Sequence, residues 1–157
     1  MSVINAKEFL KKYNLDGDII TFDTSTATVK EAAESIGCEE DEIAKTLSFL
    51  IDDNPIIIVM SGNSRIDNNK YRHFFGKKAK MIPASLVNKL IGHDIGGVGP
   101  FGVYDNVKIY LDTSLKKYEY VYPACGESNN AIKISISKLE EILDNSKWIC
   151  VTKENDI

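Results

Sequence analysis

Two apolar segments rich in β-branched residues constrain the fold most strongly. Residues 45–51 read KTLSFLI and residues 55–60 read PIIIVM, with Asp52, Asp53 and Asn54 between them. Runs of this length and composition predict β-strands, and the polar tripeptide predicts a tight turn. We therefore expect a hairpin or a similarly tight connection between two strands that are buried on both faces.

A single lysine, Lys45, stands near the start of the first apolar segment. A buried ammonium group loses its solvation, so we expect it where its charge meets an anion, a carbonyl group or a polar ligand. The structural alternative is a strand-end lysine that extends its ammonium group to water. The residue taken alone favours this alternative.

A glycine-rich segment follows about fifty residues later, with the sequence Gly96-Gly97-Val98-Gly99-Pro100-Phe101-Gly102. Glycines let main-chain N–H groups approach a ligand closely, and Pro100 restricts the segment. It lacks the Gly-Lys-Ser/Thr of a Walker loop and does not follow a strand in a dinucleotide-binding pattern. Glycine and proline also mark ordinary turns, so the segment alone is weak evidence for a binding site. It supports such a site only in combination with Lys45.

Capping and turn residues delimit the other elements. Thr28 and Glu31 form a capping-box pattern, and Gly37 and Gly76 follow segments of helical periodicity. We predict helices over residues 5–13, 28–37, 67–75 and 83–91, a helical turn over 39–42, and a last helix opening at Ser137. We predict further strands over residues 18–22, 103–104, 107–111, 118–122 and 132–136, with an edge strand over 148–151. This order indicates an α+β fold around one mixed sheet.

Length and composition predict one domain over residues 1–157, since 43% hydrophobic residues can build one core. No apolar run approaches the roughly 18 residues of a membrane span, and the N-terminus lacks a signal-peptide pattern. The three cysteines are far apart and odd in number, which argues against a disulfide framework. We expect a soluble, cytoplasmic protein with reduced thiols.

The charge is unevenly distributed along the chain. The net charge of −4 argues at first against a nucleic-acid partner. However, residues 68–93 hold six of the 19 basic residues and none of the 23 acidic ones, with Tyr71, Phe74 and Phe75 among them. This segment suits a tRNA backbone or an unpaired tRNA end. It equally suits a helix whose aromatic residues face the core and whose lysines face water.

Four segments together resemble the YbaK family of free-standing aminoacyl-tRNA deacylases, which is related to the editing domain of bacterial prolyl-tRNA synthetases. Residues 42–47 (EIAKTL) are similar to the family's Ile-Ala-Lys-Ser/Thr-Leu signature, and residues 96–102 to its Gly-x-x-x-Pro loop. Residues 112–115 (DTSL) and 124–126 (ACG) resemble later landmarks in the right order. The resemblance covers roughly residues 20–143. It implies a mixed, mostly antiparallel, barrel-like sheet surrounded by helices.

The resemblance implies a trans-acting deacylase that hydrolyses the ester of a mischarged tRNA, with a small amino acid such as cysteine or alanine on a proline tRNA. Such an ester is already activated, so catalysis needs positioned water and donors for the developing oxyanion more than a strong nucleophile. Lys45 is then the expected catalytic residue. The expected substrate-binding residues are Gly96, Gly97, Val98, Gly99, Pro100, Phe101, Asp112 and Gly126.

Several alternatives stay open. A non-catalytic nucleotide-binding or tRNA-binding module, or a synthetase-associated regulatory module, would use the same cleft. A third possibility is that a synthetase partner supplies tRNA identity, since a net charge of −4 gives little electrostatic steering. No cofactor or metal is expected, because His73 and His93 have no ligand at metal spacing.

Individual residues of these segments also have two interpretations each. Asp112 either holds the substrate's ammonium group or caps the turn after it, and His93 either touches substrate or lies exposed on a loop. Cys125, where the family often has alanine, is expected to be a small buried side chain lining or backing the pocket. Ser61 and Gly62 are further candidates for the cleft, and residues 128–130 are expected to form a surface turn.

Overall fold

The hairpin predicted from the two apolar segments forms the centre of the sheet. The computed structural model describes residues 5–154. Strands β2 (Ile43–Ile51) and β3 (Asn54–Ser61) pair antiparallel from Ala44 opposite Ser61 to Ile51 opposite Asn54. Asp52 turns the chain between them with a left-handed φ of 55°. Strand β3 is buried from its second residue to its last, which confirms the expectation of strand burial on both faces there.

Six strands form the main sheet, in the spatial order β7-β5-β2-β3-β4-β8, and the sheet curls into a half-barrel. The remaining members are β4 (Lys108–Asp112), β5 (Tyr120–Pro123), β7 (Ile134–Ser135) and β8 (Lys147–Ile149). The mixed α+β architecture is confirmed. Three of the five pairings in this sheet are parallel, so parallel pairing has a larger share than expected. Strand β8 forms one edge, as predicted for residues 148–151.

Two further strands, β1 (Ile20–Thr21) and β6 (Asn130–Ala131), form a separate antiparallel pair. Both residues of β1 are exposed, whereas both residues of β6 are buried. This pair ties the segment before the second helix to the segment that follows β5. It thereby brings two sequence-distant segments to the same side of β2.

Of the five helices in the described part of the chain, the second and third begin and end where the capping residues predict. The five are α1 (Ala6–Lys11), α2 (Val29–Ile36), α3 (Asn68–Phe75), α4 (Val87–Ile91) and α5 (Ile136–Ile142). Helix α2 has the full capping box of Thr28 and Glu31 and ends at Gly37, whose φ is 83°. Since this left-handed conformation suits glycine, Gly37 stops the helix as expected. Among residues 5–154, none of the helices has the length and apolarity of a membrane span.

Three local predictions were wrong in detail. Residues 103–104 are not a strand, and the helix predicted over 83–91 is divided into a 3₁₀ turn (Ala84–Leu86) and α4. The last helix is capped by Ser135, whose side chain accepts a hydrogen bond from the Lys138 amide, rather than by Ser137. Both serines precede a helical pattern, so local sequence does not distinguish them.

The sheet separates two apolar clusters. On one face, Ile57 and Val59 join a large core to which α1, α4 and α5 contribute. On the other face, Ile56, Ile58 and Met60 pack with residues of α3. Alternation along β3 therefore assigns the helices to opposite faces of the sheet.

The aromatic residues of α3 mostly face this second cluster. Tyr71 is fully buried and stacks against Phe49 with ring centroids 5.2 Å apart, and Phe75 packs against Tyr110 at the same distance. Phe74 remains 41% exposed. The alternative in which aromatic residues face the core is confirmed for Tyr71 and Phe75.

Candidate functional site

A cleft of about 280 Å³ lies beside the first half of β2. Lys45 lines it together with Gly96 and Val98 of the glycine segment. The structure therefore brings the lysine and part of the predicted loop to one cavity. The other lining residues are Thr26, Ala27, Thr28, Val29, Ala32, Ile43, Ala44, Thr46, Leu47, Tyr122, Ala124, Asn130 and Ala131.

The cleft exists because the outer edge of β2 is only partly paired. Strand β5 pairs with β2 at Ile43 and Ala44. Nearer the end of β2, the segment around Lys80 forms hydrogen bonds with the same edge. There the amide of Leu50 donates to the carbonyl oxygen of Lys80 at 2.9 Å. Thr46 lies between these two paired stretches, and its buried hydroxyl oxygen has no hydrogen-bond partner among residues 5–154. The gap in pairing leaves one stretch of strand edge facing the cavity.

Lys45 is half-buried on the α3 side of the sheet. Its ammonium group donates a hydrogen bond to the carbonyl oxygen of Ser64, the one partner it has within the described part of the chain. Desolvation by burial and repulsion from Arg65 lower the pKa of Lys45, and Asp41 partly offsets them. Since an ammonium group has three N–H donors, two stay available for a ligand.

The glycine segment packs backbone to backbone against residues 124–127. A Cβ atom at Gly99 would lie 2.0 Å from the carbonyl oxygen of Ala124, and one at Gly97 would lie 2.3 Å from the carbonyl carbon of Glu127. Such distances exclude any side chain at either position. These glycines are therefore required by a close approach within the protein.

Two of the predicted main-chain donors are already used. The amide of Gly97 donates to the carbonyl oxygen of Asp94 at 2.9 Å, and the amide of Gly99 donates to Nδ1 of His93 at 3.2 Å. Among the hydrogen bonds of residues 5–154, none uses the amides of Gly96 or Val98. Since Gly96 and Val98 also line the cleft, their amides are available to a ligand there.

His93 is buried rather than exposed, contrary to one of its two sequence interpretations. Its side chain is 3% exposed, and desolvation by burial lowers the pKa of its imidazole. The imidazole accepts from Gly99 at Nδ1, so the neutral ring carries its proton on Nε2, which has no partner in residues 5–154. His93 thus supports the loop from behind and does not line the cleft.

Pro100, Phe101 and Gly126 lie away from the cleft wall. Phe101 is fully buried in the large core and Pro100 is buried beside it. Gly126 has a φ of 92° and lines a second, polar cavity of about 350 Å³ that also includes His93 and Cys125. Its amide donates to the carbonyl oxygen of Gly97 at 2.9 Å. These three residues hold the loop in place.

Asp112 lies at the end of β4, and its carboxylate is fully buried. It accepts hydrogen bonds from the Ser114 amide at 2.9 Å, the Val151 amide at 2.8 Å and the Thr152 hydroxyl at 2.8 Å. It is absent from the residues that line the cleft. This geometry favours the capping interpretation over a direct contact with substrate.

Cys125 is 4% exposed, and desolvation raises the pKa of its thiol to about 12. The thiol stays protonated at neutral pH and is a poor nucleophile. It backs the loop, as one of the sequence interpretations expects. Asn130, expected on a surface turn, is buried and holds the Cys125 backbone through two hydrogen bonds of 3.1 and 3.2 Å.

Other candidates lie outside the cleft wall. The Ser61 hydroxyl is within 2.5 Å of the Ser64 hydroxyl, and a Cβ atom at Gly62 would lie 1.9 Å from the carbonyl oxygen of Glu40. Neither residue lines the cleft. Across residues 5–154, no three His, Cys, Asp or Glu side chains are grouped as metal ligands.

Sequence reasoning missed one wall of the cleft. Residues 26–29 and Ala32 line it from the start of α2, although the sequence marks this segment only as a helix start. Their position depends on the β1–β6 pair and on hydrogen bonds such as that from the Thr26 amide to the carbonyl oxygen of Ser128, 2.7 Å long. No local pattern predicts these long-range contacts.

Comparison with protein families gives one match over most of the chain. The model described as "Aminoacyl-tRNA editing domain" matches residues 23–142. This range includes the whole cleft and the glycine segment.

Two relatives and one solved structure extend the comparison. The uncharacterized protein YwhH of Bacillus subtilis (strain 168) is 43% identical over 98% of this chain and 99% of its own length. The proline–tRNA ligase of Shouchella clausii (strain KSM-K16) is 36% identical over 63% of this chain, which is 17% of the ligase. A candidate trans-editing enzyme for prolyl-tRNA synthetase has a similar crystal structure, with a TM-score of 0.83, 25% identity, and coverage of 98% of this chain and 100% of its own.

Proposed function

Because the chain belongs to the family of aminoacyl-tRNA editing domains, we propose that it is a trans-acting deacylase that hydrolyses the ester of a mischarged tRNA. The observation that carries the proposal is that Lys45, Gly96 and Val98 line one cleft. We also propose that residues 1–157 act as a single editing domain.

In the proposed reaction, the 3′-terminal ester lies between β2 and the glycine segment. Water attacks the ester carbonyl and releases a proton to solvent, and negative charge develops on the carbonyl oxygen. The amides of Gly96 and Val98 are the loop donors available to stabilise that charge. Lys45 offers two further N–H donors for the carbonyl or for the terminal ribose or phosphate. The intermediate then collapses, the acyl C–O bond to the ribose breaks, and the ribose oxygen takes up a proton, which leaves the free amino acid and the tRNA.

The support of Lys45 suits this role. Its ammonium group is anchored by Ser64 and half-desolvated, so a contact to an anionic or partly charged oxygen is stronger there than in water. Anchoring also reduces the conformational entropy that the side chain loses on binding. Lys45 is therefore the catalytic residue of the proposal.

We propose that the esterified amino acid is small. Five of its lining residues are alanines, namely Ala27, Ala32, Ala44, Ala124 and Ala131. The short side chains leave room near the ester without offering a polar partner for an amino-acid side chain. We therefore propose cysteine or alanine on a proline tRNA as the substrate class. A cytoplasmic location follows from such a substrate and belongs to the same proposal.

The test uses a panel of charged tRNAs incubated with the purified protein. We expect faster ester loss than in buffer for alanyl-tRNA or cysteinyl-tRNA made with proline tRNA, and no effect on correctly charged prolyl-tRNA. Unchanged half-lives for every charged tRNA in the panel would contradict the enzymatic proposal.

Lys45→Ala separates catalysis from binding. Lost turnover with retained tRNA binding supports the catalytic role of Lys45. Equal, weak hydrolysis by the variant and the unmodified protein would favour the alternative, a non-catalytic nucleotide-binding or tRNA-binding module, or a regulatory module that acts with a synthetase. Lys30→Ala, on the exposed face of α2, is the matched control for loss of one positive charge.

A further inference from the structure

The two sides of the cleft differ sharply in charge. Residues 23–42, which include the α2 wall, contain seven acidic residues and one basic residue, Lys30. Residues 65–80, which follow β3 and include α3, contain six basic residues and one acidic residue, Asp67. The basic residues form what we call the basic face, made of Arg65, Lys70, Arg72, Lys77, Lys78 and Lys80.

The basic face begins at the cleft. Arg65 directly follows Ser64, whose carbonyl oxygen accepts a hydrogen bond from the Lys45 ammonium group. The positive charge of Arg65 therefore lies close enough to lower the pKa of Lys45. At the other end of the cleft, Lys80 pairs with β2 opposite Leu50. That is four residues beyond Thr46, or about 13 Å along the strand at ~3.3 Å per residue. Cations therefore continue from the cleft along the α3 side of the sheet.

Most of these cations have no hydrogen bond or ion pair within residues 5–154. Lys70 donates to the Thr152 carbonyl oxygen at 2.9 Å, and Lys77 lies 3.3 Å from Asp52. Within residues 5–154, the side chains of Arg72, Lys78 and Lys80 have neither a hydrogen bond nor an ion pair, and all three residues are exposed. The single acidic residue, Asp67, is occupied as the cap of α3. An exposed group of unpaired like charges repels itself, and a polyanion relieves that repulsion.

We propose that the acceptor arm of the bound tRNA leaves the cleft over the basic face, with its phosphates against Arg72, Lys78 and Lys80. This inference rests on the proposed function, since it takes the 3′ end of a tRNA as the occupant of the cleft. The acidic side disfavours the opposite direction, because phosphates there would face the carboxylates of residues 23–42, of which Asp41 is paired with Lys117. The exposed ring of Phe74, with the Lys147 ammonium group 5.3 Å from its centroid, adds a stacking surface on the same face.

The test compares a triple variant, Arg72→Gln with Lys78→Gln and Lys80→Gln, with a control of equal charge change. The control is Lys11→Gln with Lys12→Gln and Lys89→Gln, three exposed positions at the end of α1 and on α4, helices that pack on the opposite face of the sheet. Both proteins are assayed with alanyl-tRNA made from a proline tRNA transcript and with 3′-O-alanyl-adenosine. The second substrate fills the cleft but has no phosphate.

We expect the basic-face variant to lose at least tenfold in kcat/KM on alanyl-tRNA at 0.05 M salt and to keep its rate on alanyl-adenosine. The control triple should match the unmodified protein on both substrates. The slope of log affinity against log salt should fall by about two to three for the basic-face variant, since three phosphate contacts are removed. Equal rates of the basic-face variant and the unmodified protein on alanyl-tRNA would overturn the proposal, as would equal losses in the two triple variants.

Binding of fluorescent, uncharged tRNA separates failure of this proposal from failure of the proposed function. If neither substrate is hydrolysed, the deacylase proposal fails, yet a salt-dependent affinity that the basic-face variant loses still supports the basic face. If both substrates are hydrolysed but the basic-face variant binds tRNA like the control, the basic-face proposal fails alone. That second result is also the one expected if the face binds a protein such as a synthetase.

Discussion

The buried imidazole of His93 accepts a hydrogen bond from the amide of Gly99, with 3.2 Å between Nδ1 and the amide nitrogen. The same loop is closed by hydrogen bonds from Gly97 to Asp94 and from Gly126 to Gly97. Gly96 and Val98, which line the cleft opposite Lys45, lie within this closed arrangement. The shape of the glycine segment therefore depends on a histidine that lies outside the cleft wall.

His93 should make stability depend on pH. Its pKa in the folded protein is lowered by burial, so the unfolded chain binds a proton more readily than the folded one when the pH falls below the ordinary value of 6.5. The free energy of unfolding should therefore fall as the pH drops through and below that value. The charged groups near the ring are those of Asp94, Glu127, Asp16 and Lys7.

His93→Asn isolates this effect, because the amide oxygen of asparagine accepts a hydrogen bond but does not titrate. We expect urea unfolding at pH 7.5 and pH 5 to show a smaller loss of stability for the variant than for the unmodified protein. An identical loss in both proteins would show that His93 is not the group responsible.

Gly99→Ala should disrupt the loop. The new methyl group would lie 2.0 Å from the carbonyl oxygen of Ala124, so the backbone must move apart. We expect a loss of about 1–3 kcal/mol in the free energy of unfolding, as for other overpacked sites, together with reduced deacylation. Gly17→Ala is the control, because a Cβ atom at Gly17 would meet no other atom within 4 Å and the φ of this glycine is not positive. Equal stability of both variants would contradict the tight packing of the loop.

Local signals predicted the elements well because helix ends are determined by neighbouring residues. The capping box of Thr28 and Glu31 and the glycine ends at Gly37 and Gly76 depend on contacts within a few positions. The hairpin of β2 and β3 is equally local, since three residues between two apolar runs leave few other pairings. These features were therefore readable from the sequence.

The environment of each site residue depends on distant contacts and was less predictable. Asp112 is bound by Val151 and Thr152, about forty positions away, and nothing near it in sequence indicates this. His93 is buried against Gly126 and Cys125, which lie more than thirty positions away and line the same cavity. The resemblance located Lys45 and the loop, whereas only the fold distinguishes residues that line the cleft from residues that support it.

Asp112→Ala and Asp112→Asn distinguish a structural from a substrate-binding aspartate. Removing the carboxylate leaves the buried Val151 amide, the buried Thr152 hydroxyl and the partly buried Ser114 amide without their acceptor. Each unsatisfied group costs roughly 1–3 kcal/mol, so we expect Asp112→Ala to lose about 3 kcal/mol or more of unfolding free energy. Urea unfolding measures this loss, and deacylation per folded molecule should change little. A stable Asp112→Asn protein with unaltered melting but no turnover would instead support binding of the substrate's ammonium group.

The volume of the cleft at Ala32 should determine which amino-acid esters are hydrolysed. Ala32 is buried on α2 and lines the cleft, whereas its neighbour Ala33 is equally buried but does not line it. Ala32→Val adds two methyl carbons to the cavity, while Ala33→Val adds the same volume elsewhere on the same helix. We expect Ala32→Val to reduce kcat/KM for a tRNA ester of 2-aminobutyrate more than for an alanyl ester, by about tenfold or more per excluded methylene. Ala33→Val should lower both rates equally, if at all, because it affects only the stability of the helix. Equal selectivity in the two variants would mean that the amino-acid side chain binds outside this cleft.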